Sequence, residues 1–134
     1  MSVTIYHNPR CSKSRQTLSL LQDKGIELEI IEYLSSPPDV ATLSGILGKL
    51  GLEPRKLMRH NEMPYKELGL ADTGKTRDAL IQAMVDNPIL IERPIVLSGG
   101  KAALGRPPEQ VLEILKETIE GIKKTVVIPH LMRN

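Results

Sequence analysis

Phenylalanine and tryptophan are absent from this chain of 134 residues, and tyrosine occurs three times. The core must therefore come from Leu, Ile, Val, Met and Ala. Stacking of single-stranded nucleic-acid bases, which needs an aromatic platform, is not expected. Cysteine occurs once, so no internal disulfide can form and the thiol is free. No segment approaches the ~20 apolar residues of a membrane span. The opening MSVTIYHNPRC has no apolar run of signal-peptide length. The expected setting is the cytoplasm, away from any membrane, where thiols stay reduced. Net charge is +2, too small to argue for a nucleic-acid partner.

What is present suits one globular domain. A chain of this length buries roughly two-thirds of the surface that its unfolded form exposes. Val3 to Tyr6 is a short β-prone run, broken by Asn8-Pro9. Ser12 to about Lys24 contains neither Gly nor Pro, places Leu18 and Leu21 on one helical face, and ends at Gly25. Leu28 to Tyr33 reads as a second strand, ended by Pro37-Pro38. Strand, helix, strand suggests a βαβ unit with parallel strands. Beyond it Val40, Leu43, Leu47 and Leu50 recur at helical spacing up to Gly51. Pro54 and Pro64 each fit the first position of a short helix, and Thr76 to Val85 fits another, with Thr76 as cap. Pro94 to Leu97 and Ala102 to Leu104 flank a Gly99-Gly100 hairpin turn. A last helix is expected from about Pro108 to Ile122, with Val111, Leu115, Ile119 and Ile122 inward. This order predicts an α/β fold, a thioredoxin-like four-stranded mixed sheet with a helical insertion. The domain is expected over 1–120, the insert over about 39–86, and a tail over 121–134.

Cys11 falls in a loop that follows a strand and opens a helix. Unpaired N–H groups and the helix dipole stabilise an anion there. A thiolate so placed has its pKa lowered from ~8.5 into a range of roughly 3.5–7.5. His7, Arg10, Lys13 and Arg15 bring positive charge close by. Free cysteines are often buried and inert, but HNPRCSKSR is polar, cationic and bounded by turn residues. An activated nucleophile is expected. Spacing narrows its chemistry. Position 14 is Ser, so there is no C-x-x-C pair, and Arg15 lies too near Cys11 for a phosphatase loop. One Cys with His7, His60 and His130 lacks metal-ligand spacing, and no metal is expected.

Several stretches in order resemble the thioredoxin-fold arsenate reductases that depend on glutathione and glutaredoxin. They are IYHNPRCSKSR at 5–15, LMRHNE at 57–62, YKELGL at 65–70, NPILIERPIVL at 87–97 and GRPPEQVLEIL at 105–115. The resemblance implies that Cys11 attacks arsenate and that Arg59, Arg93 and Arg106 bind the oxyanion. A planar guanidinium grips such oxygens in pairs. It further implies a cis Pro94 beside the cysteine. His7, if protonated, would lower the Cys11 pKa, Ser14 would donate to the thiolate, and Asn8 would fix the loop, with Arg15 in support. No bound cofactor is implied. Glutathione would serve as co-substrate and glutaredoxin as protein partner. The chain departs from the best-known members in the charge of Arg10 and of Ser12-Lys13 around the cysteine.

Two other readings remain open at this point. Spx-like regulators that bind RNA polymerase share the fold and part of the Arg-Pro motif, but typically carry a C-x-x-C switch. A glutathione-linked thiol oxidoreductase with another substrate would need the cysteine and not the arginine set.

Overall fold

The computed structural model describes residues 2–122. Strand β1 (Val3–His7) is followed by helix α1 (Ser12–Asp23) and strand β2 (Leu28–Glu32). Next come α2 (Val40–Leu50), a 3₁₀ turn (Pro54–Leu57), α3 (Met63–Glu67), α4 (Arg77–Asp86) and a second 3₁₀ turn (Pro88–Leu90). Strands β3 (Ile95–Ser98) and β4 (Lys101–Leu104) lead into a 3₁₀ segment, Pro108–Leu115, and residues 116–122 continue as α-helix. The strand order is β2-β1-β3-β4. β1 pairs β2 in parallel, while β3 is antiparallel to both β1 and β4. The mixed four-stranded sheet expected from the sequence is the one observed.

Local chemistry explains the element ends. Asp39 caps α2, its carboxylate accepting from the Thr42 N–H at 2.8 Å. Thr76 caps α4 in the same way through the Ala79 N–H at 3.1 Å. Such caps satisfy donors that the first helical turn leaves bare. Gly51 ends α2 with a φ of 67°, a left-handed conformation that only glycine adopts without a Cβ clash. The final helix differs from expectation, since its first part winds as 3₁₀. Pro108, Val111 and Leu115 are its buried residues, and Ile114 packs partly buried against the same core as Val111 and Leu115.

The sheet carries a core on each face. Val3 and Ile5 of β1 and Val96 of β3 pack with Leu21, Val111 and Leu115 beneath α1 and the last helix. Tyr6 and Ile95 point the other way, into a larger cluster with Tyr33, which follows β2, and with Leu43, Leu47, Ile81 and Met84 of the helical insert. This alternation is the two-residue period of a strand buried on both sides. The end of β1 lies beside the start of β3, with Tyr6 opposite Ile95, and the loop that leaves β1 and the loop that enters β3 build the site. Residues 123–134, most of the expected tail, lie outside the described residues.

Candidate active site

The loop after β1 is held by its own backbone. The Cys11 N–H donates to the Asn8 carbonyl at 3.0 Å, and the Cys11 carbonyl accepts from the Arg15 N–H at 3.0 Å. The Asn8 side-chain oxygen accepts from the Arg10 N–H at 3.0 Å, and the Arg15 guanidinium donates to the Pro9 carbonyl at 3.0 Å. Cys11 thereby becomes the N-cap of α1 with an extended backbone and no formal capping bond. Its sulfur is left to the unpaired N–H groups of the first turn.

Burial pushes the Cys11 thiol up, but four influences oppose it. In decreasing order they are the Ser14 backbone N–H, the Arg93 guanidinium, the Lys13 backbone N–H and the Arg106 guanidinium, and together they hold the thiol below its ordinary pKa. Each stabilises the thiolate, the nucleophilic form. Arg59 is not among these influences.

His7 and Ser14 act differently from the sequence expectation. Burial, reinforced by Arg15 and partly opposed by Glu32, lowers the His7 pKa, so the ring favours its neutral form. The positive charge at the thiol comes instead from Arg93 and Arg106, which converge from other segments. The Ser14 hydroxyl lies 2.7 Å from His7 Nδ1 and accepts from the Asn8 N–H at 2.9 Å. Its remaining proton suits donation to a neutral imidazole. It is therefore the main-chain N–H of Ser14, and not its hydroxyl, that serves the sulfur.

The arginines arrive on two linked loops. The Arg59 N–H donates to the Leu90 carbonyl and the Glu92 N–H to the Leu57 carbonyl, both at 2.7 Å, around a bridge between Met58 and Ile91. This ladder ties LMRHNE to NPILIERPIVL. The Arg93-Pro94 peptide is cis, and so is Arg106-Pro107, which the sequence reading did not anticipate. The Gly105 N–H donates to the Pro94 carbonyl at 2.9 Å. A Cβ on Gly105 would meet Thr17 Oγ1 and come within 2.7 Å of Pro94 Cγ. Only glycine lets the Arg106 loop lie this close to both α1 and Pro94.

The guanidiniums are partly satisfied from within. Arg93 Nη1 lies 2.7 Å from Glu92 Oε1, and Arg106 Nε is 3.8 Å from the same oxygen. Arg106 Nη1 also donates to the Arg93 carbonyl at 3.3 Å. Arg59 pairs with Glu62 at 3.0 Å. Arg93 Nε is buried without any partner, the sole such side-chain nitrogen or oxygen among the described residues. A bare donor of this kind is costly unless something fills its place.

The sequence places Tyr33 at the end of a strand, and in the structure β2 stops at Glu32 with Tyr33 next in the chain. Its ring is 1% exposed, and its hydroxyl reaches the Ile91 carbonyl at 3.5 Å. Burial raises its pKa against the opposing pull of the Asn8 side chain, Arg93 and Arg59. Tyr33 thus sits between the cysteine loop and the arginine loops. No local signal marks it, because a tyrosine at a strand end reads as core. Among the described residues no group of three or more His, Cys, Asp or Glu is arranged to hold a metal, and no helix is long and apolar enough to cross a membrane.

A thiol of lowered pKa at a helix start, with two arginines acting on it, on a thioredoxin-like sheet, is an arrangement suited to an oxidoreductase. The chain belongs to the ArsC family, whose sequence profile it matches over residues 6–114. It is 61% identical over 114 residues to the uncharacterized protein YfgD of Escherichia coli (strain K12), a match covering 84% of this chain and 96% of that one. It is 52% identical to an arsenate reductase of Neisseria meningitidis, covering 84% and 97% of the two chains. The structure superposes on an arsenate reductase from Vibrio cholerae with a TM-score of 0.83 at 56% identity, covering 86% of this chain and 98% of the other.

Proposed function

We propose that this protein is an arsenate reductase in which Cys11 is the nucleophile and Arg93 and Arg106 hold the oxyanion, with Arg59 completing the set. The observation that carries this reading is the meeting at one thiol of two guanidiniums, one of which keeps a buried Nε bare. A tetrahedral dianion supplies oxygens for such donors. Likeness to arsenate reductases over most of the chain supports the same substrate.

The chemistry follows from the parts. The Cys11 thiolate forms a bond to arsenic, and one arsenate oxygen leaves as water after taking protons from solvent. Arsenic is still pentavalent. A glutathione thiolate then bonds to Cys11 Sγ and the sulfur–arsenic bond breaks, its electron pair staying on arsenic. Arsenic becomes trivalent and leaves as arsenite, while the two sulfurs are oxidised to a mixed disulfide. Since Cys11 is the single cysteine, the reducing thiol must come from outside. Glutaredoxin removes the glutathione and restores the thiolate. The arginines act in the first step, offsetting charge on the oxygens while sulfur attacks. Asn8 and Arg15 keep the loop in shape, and neutral His7 holds Ser14, whose N–H serves the sulfur.

The test is NADPH oxidation coupled through glutathione reductase, with glutathione, glutaredoxin and arsenate. Turnover that depends on arsenate and disappears in Cys11→Ser is expected. Equal turnover by Cys11→Ser, or none by the wild type, refutes the assignment.

A further inference from the structure

The two arginines that bear on Cys11 are not empty-handed. One oxygen of Glu92 lies 2.7 Å from Arg93 Nη1 and 3.8 Å from Arg106 Nε. The Glu92 side chain is a quarter exposed, so solvent or a ligand can reach it. Its backbone is pinned by the N–H bond to the Leu57 carbonyl, which fixes the point from which the carboxylate reaches the pair. A carboxylate oxygen bridging two guanidiniums makes the contact that one oxygen of a bound oxyanion would make.

We propose that Glu92 is an internal competitor for the arginine pair, a specificity-determining residue that sets how much charge an incoming anion must bring. The inference rests on the arginines being the oxyanion site. With Glu92 in place the repulsion between the two guanidiniums is offset, and one of their two positive charges is already answered. A singly charged anion replaces one negative charge with another and gains little. A tetrahedral dianion brings more charge and more acceptor oxygens, including one for the bare Arg93 Nε, and so outcompetes the carboxylate. Specificity here comes from a built-in opponent as well as from attractive contacts. Chloride and simple carboxylates are kept out of the thiol's surroundings at some loss of affinity for the dianion.

The test uses Glu92→Gln, which keeps the shape and removes the charge, with Glu92→Ala as a second variant. Binding of inorganic phosphate at pH 8 is measured by calorimetry, and chloride is titrated as competitor. Arsenate turnover is recorded in parallel. Removing the charge should tighten phosphate binding roughly tenfold, the scale of a partly desolvated charge interaction at a binding site, and should make chloride an effective competitor. Phosphate affinity that is unchanged or weaker in both variants overturns the inference, because Glu92 would then serve to hold Arg93 in place. Failure of phosphate to bind any of the three proteins overturns it as well. If phosphate tightens as expected but the wild type reduces no arsenate, the inference stands and the arsenate reading falls. Normal arsenate turnover without any gain in phosphate affinity removes the inference alone.

Discussion

The cysteine loop and the arginine loops are built on different principles. Residues 7–15 close on themselves: Asn8 and Pro9 carbonyls, the Asn8 side chain and the Ser14 hydroxyl satisfy their neighbours in sequence. The arginine loops have local turns and the Arg59–Glu62 and Arg93–Glu92 pairs, but local bonds do not bring them together. They depend on the Met58–Ile91 bridge, the Gly105–Pro94 contact and the packing of the insert. A local cradle supplies main-chain N–H groups to the sulfur, whereas distant segments supply its positive charge. Both lower the Cys11 pKa, against the opposing effect of burial. The thiol is thus tuned twice, and the two contributions can be separated by mutation.

Arg93→Ala should have the largest effect short of removing Cys11. It deletes the guanidinium that acts most strongly on the thiol, and kcat/KM for arsenate should fall on the order of 10²–10³-fold, as for loss of one charge-stabilising donor. The rate of Cys11 alkylation against pH should shift to higher pH in the same variant. Arg59 pairs with Glu62 and is not among the groups that lower the Cys11 pKa most, so Arg59→Ala should leave that alkylation profile in place while weakening arsenate binding. A matching shift in both variants would erase the distinction between the two arginines.

Gly105→Ala attacks the seam between the loops and α1. The new Cβ collides with Thr17 and Pro94, and overpacking of this kind costs about 1–3 kcal/mol. Urea denaturation should show that loss, together with reduced turnover because Arg106 follows directly. Wild-type stability would mean that the loop moves freely. Ser14→Ala strikes the cradle instead. It strands His7 Nδ1 and the Asn8 N–H, both buried, at about 1–2 kcal/mol of stability. Its Cys11 alkylation profile should move less than that of Arg93→Ala, since the Ser14 main chain remains. A larger shift would return the hydroxyl to direct contact with the sulfur.

The smallest effect expected is one of pH. Burial lowers the His7 pKa beneath its ordinary value of 6.5. In that window the unfolded chain binds a proton that the folded chain does not, so stability rises with pH. The contribution is complete above about pH 6.5 and is lost as pH falls through the folded value. Stability against urea should decline on acidification below that point, and the decline should flatten in His7→Gln. An unchanged slope would show that His7 is not the group responsible.

The sequence by itself determined the local features. Alternation along β1, the Gly- and Pro-free run of α1, the Thr76 cap and the Gly99-Gly100 turn each depend on near neighbours, and each is readable from spacing alone. The place of Cys11 at the head of a helix is local in the same sense. Only the tertiary structure decided that burial lowers the His7 pKa, that the Ser14 hydroxyl turns to His7, and that Arg59 pairs with Glu62. It also decided that Tyr33 joins the two sets of loops and that Glu92 stands between Arg93 and Arg106. These outcomes depend on which groups lose water and which charges meet after distant segments pack. Periodicity along a chain carries no record of desolvation or of distance through space.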